Sequence, residues 1–555
     1  GREALRRKAA DGFGARLDRG GDDLGIELEW LGDREYLTMG YYGEGGTWTD
    51  ALLHAFEPAV EGIGVELRGK RGWTRPSEVV TLNYSPDLAL TAAERGAGLR
   101  HLHKMRFPRE IRYFRFWAYH LWQPADRVPP VRLVRGSTLV SPLTMNDAAS
   151  ARGRIDAAID RMGSYLQYRQ NPGGGFSHEF VPGADRYGTG NSARVQLQAL
   201  EGLATYAAWR GKPDVIEGAR RGIDAFRKYL VPMTRRIVNE AGESVEQSAG
   251  RILVLPGHGN HLDITARLLG AMLILSPVQS RTAEGTKEEA QTRDELIAAL
   301  LSAQTDEGRF AIVLDSEAEN RVRSATPASL DLGSGPALLT LARVGSGPGE
   351  ALSQSKPAGP GTRTLAERID RSIMRALTFY RRANRPTPAP TAASFLARGF
   401  AIHYANTNDA RLSDFVFEIT DRLIRLQLHE GVCRYPELFG AINVREPGLV
   451  GADTAIYLTT LAEALLLARR VGDTDRIRRY QAATLSAVRF LLQLEVREID
   501  CYAIRSPRDA LKGVRTSPWN ARIRVDHCAN TVVALIRARA ALFGERERPT
   551  AGGSR

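Results

Sequence analysis

Apolar residues recur every three to four positions from Asp147 almost to the end of this 555-residue chain, and that period commits the region to helices. About twelve segments carry it: 148–169, 189–210, 213–231, 261–276, 286–304, 327–344, 364–383, 388–406, 410–427, 451–471, 474–496 and 522–543. Asp, Ser, Thr, Gly or Pro punctuates most of their ends. The segments come in pairs. The first member of a pair closes on an apolar turn with glutamine, as in Tyr165-Leu166-Gln167, Leu300 to Gln304, Leu426-Gln427 and Leu491-Leu492-Gln493. A loop follows in most pairs, and the loops repeat too: Gly174-Gly175-Phe176, Gly308-Arg309-Phe310 and Gly431-Val432-Cys433-Arg434-Tyr435. One helical hairpin cannot bury both of its faces, so hairpins at a spacing of roughly 50 to 80 residues must pack on one another.

The chain before Asp147 has another texture. Short β-like runs stand at 25–30, 35–39, 64–68 and 79–84, with helical spacing at 48–60 and 87–104. We read 1–20 as a tail, 21–146 as a small α+β domain and 147–545 as the helical domain. Within the latter, 343–364 is a Gly/Pro/Ser-rich insertion expected to be mobile, and 546–555 is a polar tail expected to be disordered. Residues 106–122 (RFPREIRYFRFWAYHLW) interleave arginines with aromatics. That pattern occurs in nucleic-acid binders, but no RNP, helix-turn-helix or zinc-finger signature accompanies it. It reads better as a packing element whose aromatics dock on the second domain.

The paired order of helices, with the unit GGGFSHEF…NSARVQLQALEGLATYA at 173–207 and the segment from Gly513 to His527, resembles the six-hairpin glycosidase-like superfamily. The resemblance is one of layout over 148–543. It implies a mainly α fold, an (α/α)6 toroid of outer and inner helices, here with a small N-terminal α+β domain. It also implies activity on a glycan or polysaccharide, since families of this shape include glycoside hydrolases, polysaccharide lyases and sugar epimerases. A non-catalytic glycan- or protein-binding toroid is the alternative from another class.

In such a toroid the loops entering the inner helices share one rim, where polar residues far apart in sequence converge. Glycoside hydrolysis needs two carboxylates across the sugar. Glu179 is the candidate acid, flanked by Phe176 and Phe180, which would raise its pKa by desolvation. Asp526 or Asp453 is the candidate base. Lyase or epimerase chemistry would use His527, Tyr457 or His261 with an arginine such as Arg524 to neutralise a uronate. Further substrate-binding candidates are His178, Asp185, Tyr187, Asn191, Arg194, Asp263, Tyr435, Arg522 and Trp519; Asn260, His258, Glu437, Asn443 and Arg515 lie on the same rim. The bland readings are that Asp453 and Asp185 serve as caps or loop residues, and that a histidine at a helix start is structural.

No metal or cofactor is expected. His258-Gly-Asn-His261-Leu-Asp263 has unspecific spacing, and the chain holds no HExxH, DxDD, DDxxD, P-loop or GxGxxG. Asp526-His527-Cys528 offers zinc ligand types, but adjacent residues on a helix point apart. The net charge of +12 is carried by arginines spread over nearly every helix, which reads as solvated faces, and a nucleic-acid partner is not expected. The three cysteines, Cys433, Cys501 and Cys528, form no paired spacing. No apolar run reaches the roughly 20 residues of a membrane span. The sequence starts without methionine; if a processed segment is missing, a cell-envelope or periplasmic location is expected.

Overall fold

The structure is a computed structural model, and it describes residues 26–37, 57–99, 111–123, 129–238, 244–256, 258, 261–278, 283–310, 327–346, 363–383, 390–444 and 450–544. Both tails and most of the 343–364 insertion lie outside the described residues, as do 48–56, 100–110 and Asn260.

The N-terminal part is an antiparallel sheet of β1 (Ile26–Tyr36), β2 (Glu61–Leu67), β3 (Lys70–Thr74), β4 (Arg112–Gln123) and β5 (Val131–Leu133). The order is β1-β4-β2-β3, with β5 also on β4. Helices α1 (Pro76–Thr81) and α2 (Pro86–Gly96) close its core over Ile63, Val65 and Tyr113. From Arg112 onward the arginine/aromatic run is therefore the central strand, and on it His120 and Trp122 pack on Tyr502 of the helical part. The run at 79–84 is not a strand. Pro76 starts a helix there, and the Glu78 carboxylate takes the Arg75 N–H at 2.8 Å to complete its cap.

Among the described residues twelve long helices follow: α3 (Ala148–Arg169), α4 (Ala193–Arg210), α5 (Pro213–Arg227), α6 (His261–Leu275), α7 (Ala283–Ser302), α8 (Pro327–Gly345), α9 (Leu365–Ala383), α10 (Pro390–Thr407), α11 (Ala410–Arg425), α12 (Thr454–Val471), α13 (Thr474–Leu494) and α14 (Val525–Phe543). The even-numbered helices form a closed inner ring, each packed on its two neighbours and α14 returning to α4. Each odd-numbered helix lies outside, against consecutive inner ones. This is an (α/α)6 toroid. Side-chain pattern sets the layer: outer α9 buries one stripe (Ile369, Ile373, Ala376, Leu377, Tyr380), whereas inner α12 is buried on nearly every side.

The apolar pattern at 213–231 breaks earlier than expected. Helix α5 stops at Arg227, and an unforeseen hairpin, β8 (Leu230–Val238) and β9 (Ser244–Leu253), is inserted before α6.

The loop repeat has a structural cause. Gln170, Gln304 and Gln427, at the ends of α3, α7 and α11, each donate through Nε2 to two carbonyls. One is in the loop (Gly174, Gly308, Gly440) and one is on the next outer helix (Gly218, Ser372, Ala483), at 2.8–3.1 Å. The glycine in the third copy is thus Gly440 and not Gly431, because a longer loop intervenes. These three glycines have φ of +88°, +98° and +94° and press on backbone carbonyls of the next outer helix. A side chain is excluded there on both counts.

Lower on the barrel axis each inner helix contributes one charged residue: Glu201, Arg267, Arg343, Arg398, Glu463 and Arg537. Glu201 bonds Arg267 and Arg343 at 3.0 Å each, and Glu463 bonds Arg537 at 2.7 Å. Arg398 is buried among them, and burial, with Arg343 beside it, brings its pKa down to about 10.

Candidate active site

The mouth of the toroid opposite this charged layer holds a cavity of about 690 Å³. The first turns of four inner helices and three loops wall it. Helix α4 supplies Arg194, Val195 and Gln198, α10 supplies Thr391, α12 supplies Ile456 with Asp453 just before it, and α14 supplies Asp526, His527 and Asn530. The short strand β10 (Ile523–Arg524) adds Arg524, the loop before it adds Trp519, and His178 reaches in from the loop that precedes α4. Strand β10 pairs with β6 (Glu179–Val181), which pairs in turn with β7 (Arg186–Tyr187), and the His178 carbonyl accepts from Val525 N–H at 3.0 Å, which fixes that loop to the start of α14.

Asp526 is buried and gripped by both arms of the Arg524 fork, at 3.0 and 2.8 Å. Burial opposes its charge, but His527 and Arg524 outweigh burial and hold the carboxyl below the ordinary aspartate value. The Arg524 guanidinium is pushed up in turn by its bonds to Asp526. Burial pushes the His527 imidazole below its ordinary value, against the pull of Asp526 and Asp453. His527 is therefore neutral near pH 7. Its Nδ1 and both ring nitrogens of His178 are buried without a hydrogen-bond partner.

The structure brings together His178, Arg194, Asp453, Trp519, Arg524, Asp526 and His527. Asp526 and His527 both reach the cavity although adjacent residues diverge on a helix, because they occupy its first turn at the rim. The other candidates lie elsewhere. Glu179 stands beside Arg524 across the β6–β10 pair, and its charge acts on both Arg524 and His527, although it does not line the cavity; Phe180, next to it on a strand, points to the opposite face and into the core, where Phe176 is also buried. The expected desolvating pair does not enclose its carboxylate. Tyr457 is buried one layer back, with its hydroxyl 2.8 Å from that of Thr391. Asp263 is a strut between Arg267 (2.8 Å) and Arg194 (3.4 Å). Tyr187 bonds Asp509, and Asp185 pairs with Arg505 at 3.7 Å, both outside the cavity. Arg522 is 4.0 Å from Glu179, Asn191 is exposed, and His261 opens α6 off the cavity wall. Tyr435 packs near the N-terminal sheet beside Arg434, Glu437 is buried against Arg135, and Arg515 is a buried strut to backbone carbonyls.

Sequence reasoning missed Gln198, Thr391 and Asn530. Two were findable, since Gln198 follows Arg194 by four residues and Asn530 follows Asp526 by four, each on the same helix face. Among the described residues no cluster of His, Cys, Asp and Glu is arranged to hold a metal ion, and no helix is long and apolar enough to cross a membrane.

Against known proteins, no family model and no curated sequence matches this chain. Solved structures of similar layout exist. The GH76A alpha-1,6-mannanase from Salegentibacter sp. HEL1_6 is 10% identical at a TM-score of 0.45, over 70% of this chain and 99% of that one. The unsaturated glucuronyl hydrolase from Bacillus sp. GL1 is 14% identical at 0.45, over 69% and 96%. A D-mannose isomerase is 12% identical at 0.44, over 70% and 97%. At this distance the assignment of the fold rests on the closed double ring of helices itself.

Proposed function

We propose that this chain is a carbohydrate-active enzyme that hydrolyses a glycan in the mouth of its toroid. The observation that carries the reading is one cavity of sugar size whose wall holds two aspartates, two imidazoles, two arginines and a tryptophan. Asp526, kept ionised by Arg524, serves as the base that activates water, and Asp453 serves as the proton donor of the pair. Trp519 offers a stacking face to a sugar ring, and Gln198, Thr391 and Asn530 offer hydrogen bonds to its hydroxyls.

One observation favours a second reading, lyase or epimerase chemistry. Neutral His527, with buried unpartnered Nδ1, is suited to abstract a proton beside a uronate carboxylate neutralised by Arg194 or Arg524.

The test is a turnover screen on neutral and uronate oligosaccharides in ¹⁸O-water and in deuterated water, with Asp526→Asn, Asp453→Asn and His527→Gln alongside. Hydrolysis predicts ¹⁸O at a new reducing end and a loss of about 10² to 10⁴ in kcat in both aspartate variants, with circular dichroism unchanged. Deuterium on a sugar carbon (epimerisation), or an unsaturated product absorbing in the ultraviolet (elimination), that His527→Gln abolishes would install the second reading. Turnover untouched by all three substitutions, or none on any sugar, would sink both.

A further inference from the structure

Among the large aromatic side chains that the N-terminal sheet leaves on solvent are Trp30 at 71% exposure, Tyr119 at 55% and Trp117 at 40%. They share one face. Trp30 and Tyr119 are cross-strand partners on β1 and β4, and Trp117 lies two residues from Tyr119 on the same strand. Contiguous exposed apolar surface of this kind marks a binding face more often than chance.

The face connects to the mouth. The Arg434 guanidinium lies over the Trp117 ring at 5.2 Å and over Tyr435 at 4.9 Å. Arg135 lies over Tyr435 at 5.2 Å and over Trp519 at 5.3 Å. Trp519 is the tryptophan of the cavity wall. Aromatic rings with arginines stacked between them thus link the exposed sheet to the candidate active site, through the exposed Arg434 and then the buried Arg135.

We propose that this sheet face is a second glycan-binding surface, a platform that holds the distal stretch of a polysaccharide whose reacting unit lies in the mouth. The proposal rests on the glycan reading above and adds that the substrate is a polymer. The apolar C–H faces of successive sugars stack on Trp30, Tyr119 and Trp117, and Arg434, 61% exposed, donates to their oxygens. Tethering the chain at two points raises the local concentration of its reacting end without a new contact in the cavity.

The double variant Trp30→Ala/Tyr119→Ala tests it, since both side chains are exposed and their loss leaves the core intact. On a polymer and a trisaccharide of the same repeat, KM for the polymer is expected to rise roughly tenfold, with kcat and the trisaccharide KM unchanged. An unchanged polymer KM overturns the platform and leaves the mouth reading standing. Direct binding covers the case in which no turnover is found. In native gels cast with an α-mannan, a xylan or a polyuronate, retardation of the parent chain that the double variant loses supports the platform. Equal retardation of both, or none in any gel, overturns it. So does a concentration-dependent dimer that the double variant abolishes, which would assign the face to a second copy of this chain.

Discussion

Asp526, Arg524 and His527 show how four adjacent positions can carry a charge balance. Arg524 keeps the Asp526 carboxyl below its ordinary value of 3.8, and burial keeps the His527 imidazole below 6.5. The signs agree for the two groups. The stabilisation from Asp526 is complete above pH 3.8 and is lost as pH falls through its lowered folded value. That linked to neutral His527 is complete above pH 6.5 and is lost as pH falls through its own lowered value. If His527 takes part in proton transfer, kcat/KM falls on the acid side with a midpoint below pH 6.5. His527→Gln should remove that limb, and a pH–rate profile of parent and variant checks it. A limb at or above pH 6.5 would contradict the burial described here. The residue types in this cluster were legible in the sequence because rim positions of a toroid are the first turns of inner helices. Their pairing was not. Nothing in Arg524-Val525-Asp526 says that the arginine turns back onto the aspartate, and nothing in Tyr457 says that its hydroxyl stops one layer short of the cavity.

Among the elements, the glutamine and glycine at the ends of the outer helices α3, α7 and α11 decide how those hairpins stack. Gly440 should tolerate no side chain, because a Cβ would lie 1.9 Å from the Ser486 carbonyl oxygen at a φ of +94°. Gly440→Ala is expected to destabilise by about 3 kcal/mol. Gly472, at φ +80° with nothing within 4 Å of its Cβ position, supplies the control, and Gly472→Ala should cost only about 1 kcal/mol. Urea unfolding of the two variants separates close approach from backbone strain; equal losses would remove the packing argument. The helices themselves were readable from the 3.6 period because burial on one stripe or on all sides leaves that signature. The β8–β9 hairpin was not, because Tyr229-Leu230-Val231 continues the apolar pattern of α5 across its end. The run at 79–84 misled for a related reason: short apolar runs do not distinguish strand from helix, and the cap at Arg75 decided it.

At the scale of the whole molecule, Arg135 holds the N-terminal sheet to the toroid. Its side chain is almost wholly buried and bonds Glu437 at 2.7 Å, Glu57 at 2.5 Å and the Pro58 carbonyl, while its own carbonyl accepts from Arg515. Arg135→Met would strand the buried Glu437 carboxylate at a cost of about 3 to 5 kcal/mol. The sheet should then unfold before the toroid, seen as two calorimetric transitions where the parent shows one. A single unshifted transition would mean that the aromatic packing alone joins the two parts.

The layer of six charges across the barrel axis has a topological consequence. It makes the toroid a cup with a floor, not a tube. On the glycan reading proposed above, a polymer would not be drawn through such a body, and each unit would back out by the opening through which it came. Sliding along a polymer by threading would then be closed to it, and successive cycles would require that the polymer's end leave and re-enter.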